Sequence, residues 1–121
     1  MEIQFAHQSN NGQLAYISLM VATGKSSRTL RKLQRQLPAN AGESKLLAAN
    51  ALRNLQKKQR VANYYRYSGS LTTPPCNEGV RWFIMNQPLK ISKPHFQQFR
   101  QAIKQDNNRP VQALNARIVI K

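Results

Sequence analysis

Residues 64–85 read YYRYSGSLTTPPCNEGVRWFIM. The two ends of this stretch, 64–67 and 80–85, are rich in aromatic and β-branched residues and predict short strands. Between them lies GSLTTPPCNE (69–78), in which two adjacent hydroxyls precede two prolines. A plain turn needs one Gly or Pro and perhaps a Ser or Asn. Pro74 and Pro75 instead fix two successive φ angles and remove two N–H donors, and an X-Pro bond can also be cis. Two readings stay open on these residues alone. One is a rigid β-turn with hydrogen-bonding threonines; the other is a loop stiffened so that Thr72 or Thr73 points at a ligand.

Upstream, EIQFAH (2–7) alternates, with Ile3 and Phe5 on one side and Glu2 and Gln4 on the other, as in a strand with one polar face. SNNG (9–12) is a turn and QLAYISLMVA (13–22) a buried strand, so 2–22 predicts a β-hairpin or meander. Ser26 or Ser27 caps a helix running to about Leu37, with Leu30, Leu33 and Leu37 at helical spacing and Pro38 just beyond. Residues 45–60 have helix-forming composition but irregular apolar spacing. Downstream, NQPL (86–89) predicts a turn. Residues 92–104 predict an amphipathic helix, with Ser92 as cap, Pro94 in the first turn and a stripe of Phe96, Phe99 and Ile103. NNRPVQALNARIVI (107–120) reads as a loop and a closing strand. The expected fold is mainly β or α+β: a mostly antiparallel sheet with short peripheral helices, in a single domain over 1–121.

The charge is extreme. Nineteen Lys and Arg face only Glu2, Glu43, Glu78 and Asp106, a net +15, and eleven of the cations lie between Lys25 and Arg66. Such a balance suggests an anionic partner, yet the cations come singly or in pairs, without a helix-turn-helix, zinc-finger or RNA-binding signature. A solvated basic face with weak, non-specific polyanion binding at low salt follows. No run of about 18 apolar residues offers a membrane span. The first residues, MEIQFAHQSNNG, lack a basic and apolar export signal, so the chain as written reads as cytoplasmic. Cys76 is the one cysteine; as a catalytic thiol it would need a base, and only His7 and His95 are on offer.

At this point a family resemblance emerges. YYRYSGSLTTPPCNEGVRWFIM resembles the active-site loop and following strand of the α-class carbonic anhydrases. NNRPVQALNARIVI is similar to their C-terminal RPxQPLNxR segment, and MEIQFAHQSNNGQLAYISLMVATGK to the strand pair that carries their third zinc ligand. The similarity runs over nearly all of the chain and is thinnest from about 26 to 60. It implies a lyase (carbonate dehydratase) fold whose members use Zn²⁺ held by three histidines to hydrate CO₂ to bicarbonate. By place in the motif, Thr72 is the threonine that orients the zinc-bound hydroxide and Thr73 lines the pocket beside it. Pro74–Pro75 carry a cis bond, as in the family. Leu71, Val80, Trp82 and Ala6 match walls of the CO₂ pocket. Val80 and Trp82 would equally be ordinary core residues in any sheet. Bacterial members of the family are usually periplasmic or secreted.

The departures from the family pattern matter as much. Gln4 stands at the zinc-ligand position, and a neutral amide oxygen is a poor zinc ligand beside imidazole or thiolate. His7 matches a buried structural histidine, and Glu2 a carboxylate that would orient the ligand imidazole from behind. Tyr16 stands at a small, CO₂-facing position. The HxH ligand pair, the glutamate partner of Thr72 and the proton-shuttle histidine belong to an N-terminal half that this sequence does not contain. Cys76 matches a position often bridged to that half. The resemblance therefore implies a truncated, inactive carbonic-anhydrase-like chain with no metal site or cofactor of its own. The alternative is a non-enzymatic basic module for an acidic partner.

Overall fold

A computed structural model describes residues 1–25, 27–38, 42–46, 63–103 and 106–121. Four strands form one mixed sheet, β1 (Glu2–Gln8), β2 (Leu14–Thr23), β3 (Tyr64–Ser70) and β4 (Glu78–Ile91), in the order β1-β2-β4-β3. β1 and β2 make an antiparallel hairpin, β2 and β4 run parallel, and β3 returns antiparallel along β4. The hairpin turn uses Gly12 at φ 82, whose N–H donates to the Ser9 carbonyl at 2.9 Å, a conformation that glycine adopts without steric cost. The family of folds expected from the sequence, strands with short helices at the edge, is the one observed.

Alternation along the strands sorts the side chains onto two faces. One face carries Leu19 and Val21 from β2 and Met85, Leu89 and Ile91 from β4, all buried. Ile3, Phe5, Ile17 and Tyr64 extend this patch towards the edges. Two helices cover it, α1 (Arg28–Gln34) and α2 (Lys93–Ile103). Leu30 is the buried residue of α1, only 1% exposed, and Leu33, Phe96 and Phe99 pack around it. Gln34 joins the helices, its Nε2 donating to the Gln98 side chain and the His95 carbonyl. No helix among the described residues is long and apolar enough to cross a membrane.

Several boundaries differ from the sequence reading, each for a physical reason. Ser27 is the N-cap, its Oγ accepting from the Leu30 N–H at 3.3 Å, but α1 ends at Gln34 and Leu37 is left exposed beyond it. The core can take Leu30 and Leu33; the helix has no apolar contact to extend for. NQPL is not a turn but part of the single strand β4. The pairing with β2 slips there, from Leu19↔Met85 to Val21↔Leu89, so three residues of β4 pass one of β2. That bulge absorbs Pro88, which has no N–H for the ladder. Ile103 is exposed rather than in the helical stripe, because the core beneath α2 ends at Phe99. His7 is exposed too, two residues past Phe5, where neither helix reaches over the sheet. The closing strand is reduced to one antiparallel bridge, Arg66↔Ile120, with Val111, Leu114 and Ile118 exposed. Most of the helix expected over 45–60 lies outside the described residues.

Burying a leucine side chain contributes roughly 1.5–3 kcal/mol, and a cavity left by truncation adds to the loss. Leu30 is the one buried residue of α1. Leu30→Ala is therefore expected to cost about 2–4 kcal/mol, whereas Arg31→Ala, on the exposed side of the same turn, should stay within about 0.5 kcal/mol. Urea midpoints of the two variants check this.

Candidate functional site

The second face of the sheet is narrower and more polar. The pairs Gln4↔Ser18, Ala6↔Tyr16 and Tyr16↔Trp82 put β1, β2 and β4 side chains in one row, with Tyr67 of β3 opposite Trp82. Trp82 and Val80 are almost fully buried, at 2% and 1% exposure. The Tyr16 ring lies 4.9 Å from the Trp82 ring, and the Tyr67 ring stacks on its other flank at 6.4 Å. Trp82 Nε1 donates to the Ser70 carbonyl at 3.0 Å, so the indole is held by both ring contacts and a hydrogen bond. Gly69 is required by this packing. A Cβ there would come within 2.7 Å of the Tyr67 ring and 3.3 Å of Trp82.

The loop between β3 and β4 is folded on itself. The Leu71 N–H donates to the Asn77 carbonyl at its base, and the Cys76 N–H donates to the Thr73 carbonyl across the prolines, both at 2.9 Å. The Pro74–Pro75 bond is cis, as anticipated, and Cys76 has φ 60. Leu71 and Thr72 are half-buried, while Thr73 is exposed. The C-terminal segment clamps the loop from outside: Arg109 donates to Ser70 Oγ at 2.7 Å and to the Leu71 carbonyl at 3.4 Å. Arg117 forms an ion pair with Glu78 at 2.8 Å. The sequence pointed to the loop but not to Arg109 and Arg117. Their place within a segment resembling a family motif was the one available signal.

Ser18 is wholly buried and would leave its hydroxyl without a partner but for Glu2, to whose Oε1 it donates at 2.5 Å. Glu2 thus serves the sheet itself. Gln4 is half-buried one position along the same face, and Ala6 is exposed at its end. His7 falls on the other face of β1, and the His95 ring lies at the start of α2 with Nδ1 2.5 Å from Ser92 Oγ. Among the described residues no three His, Cys, Asp or Glu side chains come together as a metal site. On β1, Gln4 offers only an amide on this face and His7 lies on the opposite one, so these donors do not make a zinc site.

Burial raises the Tyr67 pKa above its ordinary value of 10.0; the Glu2 carboxylate raises it further, and Arg117 acts against both. A group raised in the folded state ionises first in the unfolded chain, so stability is kept below pH 10 and lost as pH climbs towards the folded pKa. Urea midpoints measured between about pH 9 and 11 should fall, and Tyr67→Phe should flatten that fall. Glu2→Gln should lower the Tyr67 pKa in an absorbance titration.

With this geometry in hand, comparison with known proteins is informative. The family model for eukaryotic-type carbonic anhydrase matches residues 2–121. The carbonic anhydrases of Klebsiella pneumoniae and Neisseria gonorrhoeae are each 38% identical to this chain over its whole length. The match covers 49% and 47% of those proteins, so the chain spans about half the length of the curated relatives it matches. A solved structure, the α-carbonic anhydrase of Thermovibrio ammonificans with sulfanilamide, superposes with a TM-score of 0.83 and 39% identity. It is matched over 99% of this chain and 53% of its own. Sequence, motif and fold therefore agree: this chain belongs to the carbonic anhydrase family.

Proposed function

We propose that this polypeptide is a carbonic-anhydrase family member whose own residues neither hold zinc nor hydrate CO₂. The observation that carries the reading is Gln4. It lies on the face of the sheet that also holds Glu2, Ala6, Tyr16 and Trp82, at the position where the family motif has a zinc-binding imidazole. A neutral amide there cannot match the affinity of an imidazole. The carboxylate that would orient such an imidazole, Glu2, is engaged by Ser18 instead.

The pocket side supports the same conclusion. Tyr16 occupies the position of a small CO₂-facing residue, and its ring rests against Trp82, so the wall that Val80, Trp82 and Leu71 would provide is already filled. Thr72, with Thr73 beside it, keeps the place of the hydroxide-orienting threonine. By the resemblance, the carboxylate partner that would fix its proton belongs to the family's N-terminal half, and Glu78 at the end of the loop is paired with Arg117. What remains is the loop scaffold without the groups that drive the family's reaction.

The test combines zinc content by elemental analysis with CO₂ hydration rates. The chain as it stands, alone or with a homologous N-terminal half that brings the HxH pair, should hold no stoichiometric zinc and hydrate CO₂ at the background rate. Gln4→His together with that half should gain zinc; adding Tyr16→Val should raise turnover without changing zinc content. Hydration by the unaltered chain that Thr72→Val abolishes would overturn the proposal.

A further inference from the structure

The net charge is not spread evenly over this fold. α1 carries Arg28, Arg31 and Lys32, with Arg35 at its C-cap, and all four are exposed. Their spacing of i, i+3, i+4 and i+7 puts them on one side of the helix. Leu30 and Leu33 take the opposite side, in the core. The Ser27 N–H donates to the Lys90 carbonyl at 2.9 Å, so the end of β4 abuts the start of α1 and adds exposed Lys90 and Lys93 to the same region. Three of the four acids are engaged elsewhere. Glu2 serves Ser18, Glu78 pairs with Arg117, and Asp106 with Arg100 at 3.6 Å. Among the described residues none of the four α1 cations has an ion-pair partner.

We propose that the outer side of α1, with Lys90 and Lys93 beside it, is a docking surface for the phosphate backbone of a nucleic acid. Three of the four helical cations are arginines, whose forked donors match phosphate oxygens in pairs. From Arg28 to Arg35 the helix rises roughly 10 Å, a length over which a duplex carries about six charges, enough to engage all four. A membrane surface fits less well. A helix that lies on lipid inserts its apolar side, and here that side is committed to the core through Leu30 and Leu33. The contact proposed is to the phosphate backbone and is therefore independent of sequence. This inference does not depend on the state of the zinc position.

The experiment is fluorescence anisotropy of a labelled random-sequence DNA duplex titrated with the chain at several salt concentrations. With four or five phosphates engaged, log K should fall against log[salt] with a slope of about −4. Arg31→Gln/Lys32→Gln should weaken binding at least tenfold at low salt and make the slope shallower by about 2. Arg66→Gln/Arg81→Gln removes the same charge from exposed positions roughly 20–30 Å along the sheet, and should weaken binding less than threefold. Circular dichroism confirms that both variants fold. Equal losses in the two pairs, an unchanged slope in the α1 pair, or tighter binding to phosphatidylserine vesicles than to DNA would each overturn the proposal.

Discussion

The parallel ladder between β2 and β4 is the contact on which the rest of this structure hangs. It joins residues 14–23 to residues 80–91, far apart in the chain, and it is the only parallel pairing among the described strands. Parallel neighbours need a crossover, and α1, β3 and the loop all belong to the connection between them. β1 is attached through β2, β3 through β4, and α1 leans on the Lys90 carbonyl at the end of β4. Register is decisive here, because a slip of one residue would exchange the two faces. Leu19↔Met85 would then leave the helices and Tyr16↔Trp82 would enter the core.

The two faces solve different problems. Under the helices, packing is apolar and the requirement is volume. On the other face a buried hydroxyl, an indole N–H and a phenol each need a partner or a tolerant setting, since an unpaired buried polar group costs about 1–3 kcal/mol. Glu2 answers Ser18, the Ser70 carbonyl answers Trp82, and Tyr67 stays neutral because burial and Glu2 both oppose its ionisation. On this face the Tyr16 and Tyr67 rings pack against Trp82. Arg109 and Arg117 hold the two ends of the loop.

Charge follows the same division of labour. Among the acids, Glu2 meets Ser18 on the sheet, Glu78 meets Arg117 at the end of the loop, and Asp106 meets Arg100 of α2. The cations of α1 meet none among the described residues, and like-charge repulsion at i, i+4 weakens so short a helix. Its docking through Leu30 must offset that cost, so the helix is held by the core rather than by its own surface.

Much of this was legible in the sequence. The alternation of 2–7, the apolar run of 13–22 and the amphipathic spacing after Ser92 are local periodicities, and each produced its element. The family relationship was readable in the loop and the C-terminal motif, because a stiff functional loop leaves a long, specific string of residues. The reading of Gln4 and Tyr16 as departures rests on the resemblance of the strand pair alone. Other features depended on partners distant in the chain. The bulge that keeps Pro88 inside β4, the end of α1 before Leu37, the exposure of His7 and the bond from Glu2 to Ser18 follow from where the core stops and which strands pair. No local pattern encodes these. Periodicity determines which side of an element is apolar; only tertiary packing determines how much of that side finds something to cover it.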